Sequence, residues 1–150
     1  MALEKKLSHD FKFPSFDFPI KIHGEVDRID EVDGVIRIVD YKSGMVSLGQ
    51  LKLDDFDKIL TNYKYSKALQ VMLYAYLYTQ KTSFNFGKPL EAGILSFKNL
   101  KAGFLPVHFT GGKNKDTRIS TEHLEGFLET LEDLFLEIYD KDKPFEEVIR

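Results

Sequence analysis

GEVDRIDEVDGVIRIVDYKSG, residues 24–44, is the stretch whose reading decides the fold. Asp33-Gly34 is a favoured pair for a two-residue type I′ turn, which needs positive φ at both positions. The flanks are rich in strand formers: Ile22, Val26 and Ile29 before the turn, and Val35, Ile36, Ile38 and Val39 after it. This predicts a β-hairpin over 20–31 and 35–43. With Asp33 and Gly34 as the turn, opposed residues have numbers summing to 67. Asp27 then faces Asp40, Glu25 faces Lys42, Val26 faces Tyr41 and Asp30 faces Arg37. Side chains alternate with period two, so Glu25, Asp27, Asp40 and Lys42 share one face with Ile29, Ile36 and Ile38.

The Asp30–Arg37 face is ordinary sheet stabilisation. The other face is not, because like charges directly opposed across a hairpin are destabilising. Two aspartates beside an isoleucine cluster call for a counter-charge, and a divalent cation supplies one. Mg²⁺ takes carboxylates and waters and leaves positions for phosphate oxygens. Lys42 adds a cation at the same mouth. Two carboxylates and a lysine on one hairpin face are equipment for metal-assisted phosphodiester hydrolysis. The plainer alternative is a solvated strand end with accidental charges.

Three segments carry a family resemblance: Gly24-Glu25-Val26-Asp27-Arg28-Ile29-Asp30, Val39-Asp40-Tyr41-Lys42-Ser43-Gly44, and Gln70-Val71-Met72-Leu73-Tyr74. In this order they resemble the PD-(D/E)XK nuclease superfamily, and within it the RecB and AddB type of nuclease domain. The resemblance implies a restriction-endonuclease-like core and Mg²⁺ or Mn²⁺ as cofactor. It implies that Asp27, Asp40 and the Tyr41 carbonyl hold the metal, that Lys42 is the catalytic lysine, and that Gln70 and Tyr74 act near the DNA. Members often carry an upstream helix whose His or Glu reaches the metal, for which Glu4 and His9 are the candidates here. Many RecB-like members also bind an iron–sulfur cluster through cysteines; this chain has none, which excludes such a cluster within these residues.

With 150 residues, the chain suits one domain with one core. A hydrophobic content of 43% and a charged content of 30% are ordinary for a globular protein. The lack of cysteine excludes disulfides and thiol catalysis and fits a cytoplasmic setting. The first residues, MALEKKLSHDF, lack the apolar core of a signal peptide, and no apolar run suggests a membrane span. A net charge of −3 argues against autonomous tight DNA binding and fits a fragment whose larger parent holds the DNA.

Elsewhere the pattern predicts a short helix over 3–10, an irregular aromatic segment from Phe11 to Pro19, and a short helix near 53–60 within a long connection. Ser66 caps a helix running from Lys67 to about Thr79. From Ala68 to Tyr78 only Gln70 is neither apolar nor aromatic, so the helix reads as buried and Gln70 as anomalous. Lys67, Gln70 and Tyr74 form one helical stripe, aimed either at the metal mouth or into the core. Strands follow at 91–98 and 103–110, the second demoted to an edge by Pro106, with His108 alternating outward and left out of the site. Residues 111–118 form a basic loop. The last helix begins at Ser120 or Thr121 and has an apolar stripe opposite an acidic face.

The expected architecture is α/β, with α+β as the variant: a small mixed sheet, the catalytic hairpin central, helices on both faces. The expected function is a Mg²⁺- or Mn²⁺-dependent DNA exonuclease, the nuclease end of a helicase–nuclease in DNA repair or recombination. Its DNA contacts would run through the backbone with little sequence preference. Glu25 and Lys67 are supporting candidates at the site. The alternatives are a degenerate nuclease-fold module for DNA binding or protein docking, and a CRISPR-associated nuclease of the same superfamily.

Overall fold

The computed structural model describes residues 5–56, 58, 61–111 and 114–139. Its centre is the hairpin. Strands β3 (Arg28–Val32) and β4 (Val35–Lys42) pair antiparallel with Ile29 opposite Ile38 and Asp30 opposite Arg37. Asp33 and Gly34 have φ of 51° and 81°, as the two-residue turn requires. β4 pairs on its other side, in parallel, with β5 (Leu90–Ser96). β6 (Phe104–Pro106) closes the order β3-β4-β5-β6 antiparallel to β5. Pro106 therefore lies on an edge strand, where its missing N–H costs no ladder bond.

The first half of the expected hairpin does not continue in this sheet. β2 (Ile20–Val26) pairs antiparallel with β1 (Lys5–Phe11) as a separate two-stranded ribbon. Asp27 is the bend between β2 and β3, where the chain leaves one sheet for the other. Three expected pairings fall with this change: Asp27 is a bend beyond the last rung, Arg28–Val39, and so is no ladder partner of Asp40; Glu25 is opposite Lys6 rather than Lys42; and Val26 is opposite Lys5 rather than Tyr41.

The segment expected as a helix over 3–10 is β1 over its described part. Leu7 and Phe11 are the buried residues of that strand, and their spacing of four suits a helix as well as a strand. Of the helix expected near 53–60, residues 53–56 are not helical and residue 58 is; 57, 59 and 60 lie outside the described residues, as do parts of the 111–118 loop. Around that loop, β7 (Phe109–Gly111) and β8 (Asn114–Asp116) form a small antiparallel pair. His108 does not point outward: it is 3% exposed, and its backbone N–H donates to Leu51 O at 3.0 Å while its carbonyl accepts from Leu53.

Helix α1 (Ser66–Lys81) packs on β1, β2, β4 and β5 and buries Ala68, Val71, Met72, Ala75 and Leu77. Ser66 is its first residue and not its cap: Tyr65 stands at the N-cap, and no side chain caps the helix. Helix α2 (Thr121–Ile138) lies against α1 and buries Leu124, Phe127 and Leu131. Ser120 caps it by accepting from His123 N, and His123 Nδ1 accepts in return from Ser120 N at 3.1 Å. A histidine thus takes the place that glutamate usually has in a capping box. The protein is a mixed α/β fold consistent with a restriction-endonuclease-like core. No helix among the described residues is long and apolar enough to cross a membrane.

Candidate active site

The side of the hairpin opposite Asp40 is fixed by charge. Asp30 is 4% exposed and accepts from Arg37 Nε and Nη2, both at 2.7 Å, with Arg28 Nε 3.0 Å away. The bidentate fork and the second guanidinium outweigh burial and hold the Asp30 carboxyl below its usual range. The expected Asp30–Arg37 pair is thus present, and it pins the register of β3 on β4.

That register delivers Asp27 and Asp40 to one place. Asp27 Oδ2 accepts from the Tyr41 N–H at 2.8 Å, so the bend residue is tied to β4 by its side chain where the backbone ladder has stopped. Asp40 is 5% exposed. Burial raises its pKa above the ordinary carboxylate value; Lys42 opposes the rise, and Asp27 adds to it.

Lys42, the last residue of β4, places Nζ 2.9 Å from Asp40 Oδ2 and donates to Gln70 Oε1 at 2.8 Å. Gln70 Nε2 in turn donates to Tyr74 Oη at 3.0 Å. The buried-amide anomaly in α1 is thereby resolved: Gln70 is half-buried, and both ends of its amide are bonded, one to the lysine and one to the tyrosine. Tyr74 lies over Gly24, where a Cβ would come within 2.7 Å of its ring. Burial, followed by the Asp40 charge, raises the Tyr74 phenol above its ordinary value, so it remains protonated.

Asp27, Asp40, Lys42, Gln70 and Tyr74 are therefore brought together. The other candidates are not placed with them on the same terms. Glu25 is exposed on the ribbon, and its charge reaches Tyr74 but it does not face Lys42. Lys67 is half-buried on the same stripe of α1, without an ion pair among the described residues. His9 packs its ring edge-on against Phe11 and Tyr76. Glu4 lies outside the described residues.

A metal fits this donor set on one observation in particular. Asp40 Oδ2 is buried and meets Lys42 Nζ at 2.9 Å as an ion pair set off the straight line of a good hydrogen bond, which leaves a lone pair open. A buried carboxylate oxygen with an open lone pair, beside a second carboxylate, suits a hard cation. No group of three or more His, Cys, Asp or Glu side chains among the described residues forms a metal cage. The set suits an ion that keeps much of its water, as Mg²⁺ does with one or two carboxylates.

Sequence reasoning missed two structural residues of the site. Gly24 gives Tyr74 its seat, and Arg28 helps hold Asp30; both stand inside the quoted stretch. The signal for Gly24 is a glycine inside a strand, which marks close approach of another group.

The family model of the PD-(D/E)XK nuclease superfamily matches residues 1–148. The chain belongs to that superfamily. Its nucleases typically use divalent metals, and a nuclease fold implies DNA as the bound substrate. Neither the curated proteins nor the solved structures include a match to the chain.

Proposed function

We propose that the protein is a Mg²⁺- or Mn²⁺-dependent deoxyribonuclease, an exonuclease domain of RecB/AddB type that works with a helicase portion in DNA repair or recombination. The observation that carries this reading is the position of Lys42, between a buried aspartate with an open lone pair and a glutamine that fixes its ammonium. Asp27, Asp40 and the Tyr41 carbonyl are the proposed metal-holding groups. A divalent ion bound there supplies Lewis acidity and lowers the pKa of a bound water.

The protein's own part is positioning and charge. Asp27 is aimed by the Tyr41 N–H. Lys42 is held by Asp40 and Gln70, so its ammonium is ordered before a phosphate arrives and can stabilise the charge that develops on the phosphoryl oxygens. Gln70 is held in turn by Tyr74. Contacts of this kind address the phosphodiester and not the base, so little sequence preference is expected.

The test uses linear and covalently closed plasmid with Mg²⁺, with Mn²⁺ and with EDTA. Metal-dependent loss of the linear form alone supports an exonuclease. Cutting of the closed circle replaces exonuclease with endonuclease. Absence of both with either metal sinks the enzymatic reading. A second reading, a degenerate nuclease-fold module for DNA binding or docking, draws support from the absence of a third acidic or histidine ligand among the described residues. DNA binding without cleavage is its signature.

A further inference from the structure

The ribbon β1–β2 carries an open cleft of about 510 Å³ that starts at the edge of the site. Gly24 and Glu25 line it at that end, next to Tyr74. Lys6, Lys21, His23 and Lys81 line the rest. A second open cleft of about 620 Å³ continues from it, shares Ser8 and Lys21, and adds Lys12. The four lysines are exposed.

Their pairing state is informative. Lys6 stands opposite Glu25 and Lys21 opposite Asp10 in the ladder, yet none of the four lysines makes an ion pair among the described residues. Lys42, Lys52, Lys58 and Lys88 all do. Four cations against Asp10 and Glu25 make the lining of the two clefts net positive in a chain whose net charge is −3. From Glu25 back to Lys21 the strand covers about 13 Å at the usual rise, long enough to run beside a few nucleotides.

We propose that this cleft is a track for the phosphate backbone of a polynucleotide, leading along the ribbon from the hydrolytic site. The proposal deepens the nuclease reading and rests on it for the direction of the track. Lys6, Lys21 and Lys81 neutralise successive phosphates, and Ser8 and His23 offer polar contacts between them. The substrate class is then a polymer several nucleotides long, and a short diester that reaches only Asp27, Asp40 and Lys42 gains nothing from the ribbon.

The test compares the Lys6→Gln/Lys21→Gln/Lys81→Gln triple variant with a Lys88→Gln/Lys98→Gln/Lys101→Gln triple variant of equal charge, both first checked for wild-type circular dichroism. Anisotropy of a labelled single strand of about 30 nucleotides in EDTA, titrated with salt, should show the ribbon variant binding about tenfold more weakly. The slope of log affinity against log salt should be shallower by about 2, as expected for three lost phosphate contacts on a single strand. Where cleavage is present, the ratio of kcat/KM for the long strand to that for a dinucleotide should fall by a similar factor. Equal losses in the two variants, no loss in either, or no DNA binding by the wild type overturns the track. A wild type that binds but cuts neither substrate overturns the nuclease reading alone, because the anisotropy comparison still decides the cleft.

Discussion

Lys42 and Gln70 are joined by a 2.8 Å hydrogen bond that crosses from the end of a strand to the second turn of a helix. The two residues are 28 positions apart in the chain. The bond gives the lysine a fixed position without neutralising it. Gln70→Ala leaves Lys42 with Asp40 as its partner and sets the ammonium free to swing. The expected result is a stability loss of about 1–3 kcal/mol, because the substitution removes both the bond to the charged Lys42 and the bond to Tyr74. Cleavage should fall about tenfold or more, as when a positioned group loses its orientation. A melting curve and a cleavage rate on the same variant decide the matter: a large drop in melting temperature with an unchanged rate assigns Gln70 to packing.

The two aspartates of the mouth test the metal. Asp27→Asn keeps an oxygen that can accept from the Tyr41 N–H, and Asp40→Asn removes a charge that burial disfavours. Both variants should fold as stably as wild type without metal, within about 1 kcal/mol, and neither should cleave. Wild type at millimolar Mg²⁺ or Mn²⁺ should melt higher, because a ligand of the native state shifts unfolding by mass action. The variants should lack that shift. A wild type whose melting temperature ignores Mn²⁺ removes the metal site from the account.

Asp30 should behave in the opposite sense. Its folded pKa is depressed by Arg37 and Arg28, so its contribution is fully present above the unfolded value of 3.8 and is lost as pH falls through the folded value. Asp30→Asn at pH 7 leaves two guanidiniums that are 34% and 23% exposed, so a cost of about 2–3 kcal/mol is expected, below that of a fully buried broken pair. Urea titrations at pH 7 and below pH 3.8 should show the difference between variant and wild type shrinking in acid. A difference that is constant with pH would mean shape, not charge, is the role of Asp30.

Gly24→Ala places a methyl group 2.7 Å from the Tyr74 ring. Tyr74 is 9% exposed and has little room to retreat. The expected cost is about 1–3 kcal/mol, as for other overpacked cores. Cleavage should fall as well, since Tyr74 steadies Gln70. Gly24→Ala combined with Tyr74→Phe should cost activity no more than Gly24→Ala alone if the tyrosine hydroxyl is the lost link; additive losses would place the damage in the ribbon instead.

The register of the hairpin was legible because one dipeptide, Asp33-Gly34, dictates it, and because the Asp30–Arg37 pair confirms the face. The helix from Ser66 and the last helix were legible from their apolar runs and from Ser120. What escaped was the partner of β2. A strand's sequence states which of its faces is buried but not which neighbour pairs with its edge. Nothing local in Ile22 to Val26 distinguishes pairing with β4 from pairing with β1. Leu7 and Phe11 suited helix and strand equally, so the needed neighbour was itself misread. At the site, Asp27, Asp40 and Lys42 follow from spacing. Gln70 stood out because an amide in an apolar helix demands partners, though its bonds to Lys42 and Tyr74 depend on packing between distant segments.

The bend at Asp27 divides the chain into parts that tolerate length change differently. Asp27 is counted from the β3–β4 turn, because Arg28 opposite Val39 is the last rung of that ladder. One residue inserted between 28 and 32 would turn Asp27 to the other face of the sheet and erase the mouth. One residue inserted among 20–23 would leave both aspartates in place, and its cost would fall on packing, because it turns the residues before it, Ile20 among them, off the buried face of the ribbon. A length change on the hairpin side of Asp27 therefore removes the mouth outright, whereas one on the ribbon side is a matter of packing against β1 and leaves the carboxylates where they are.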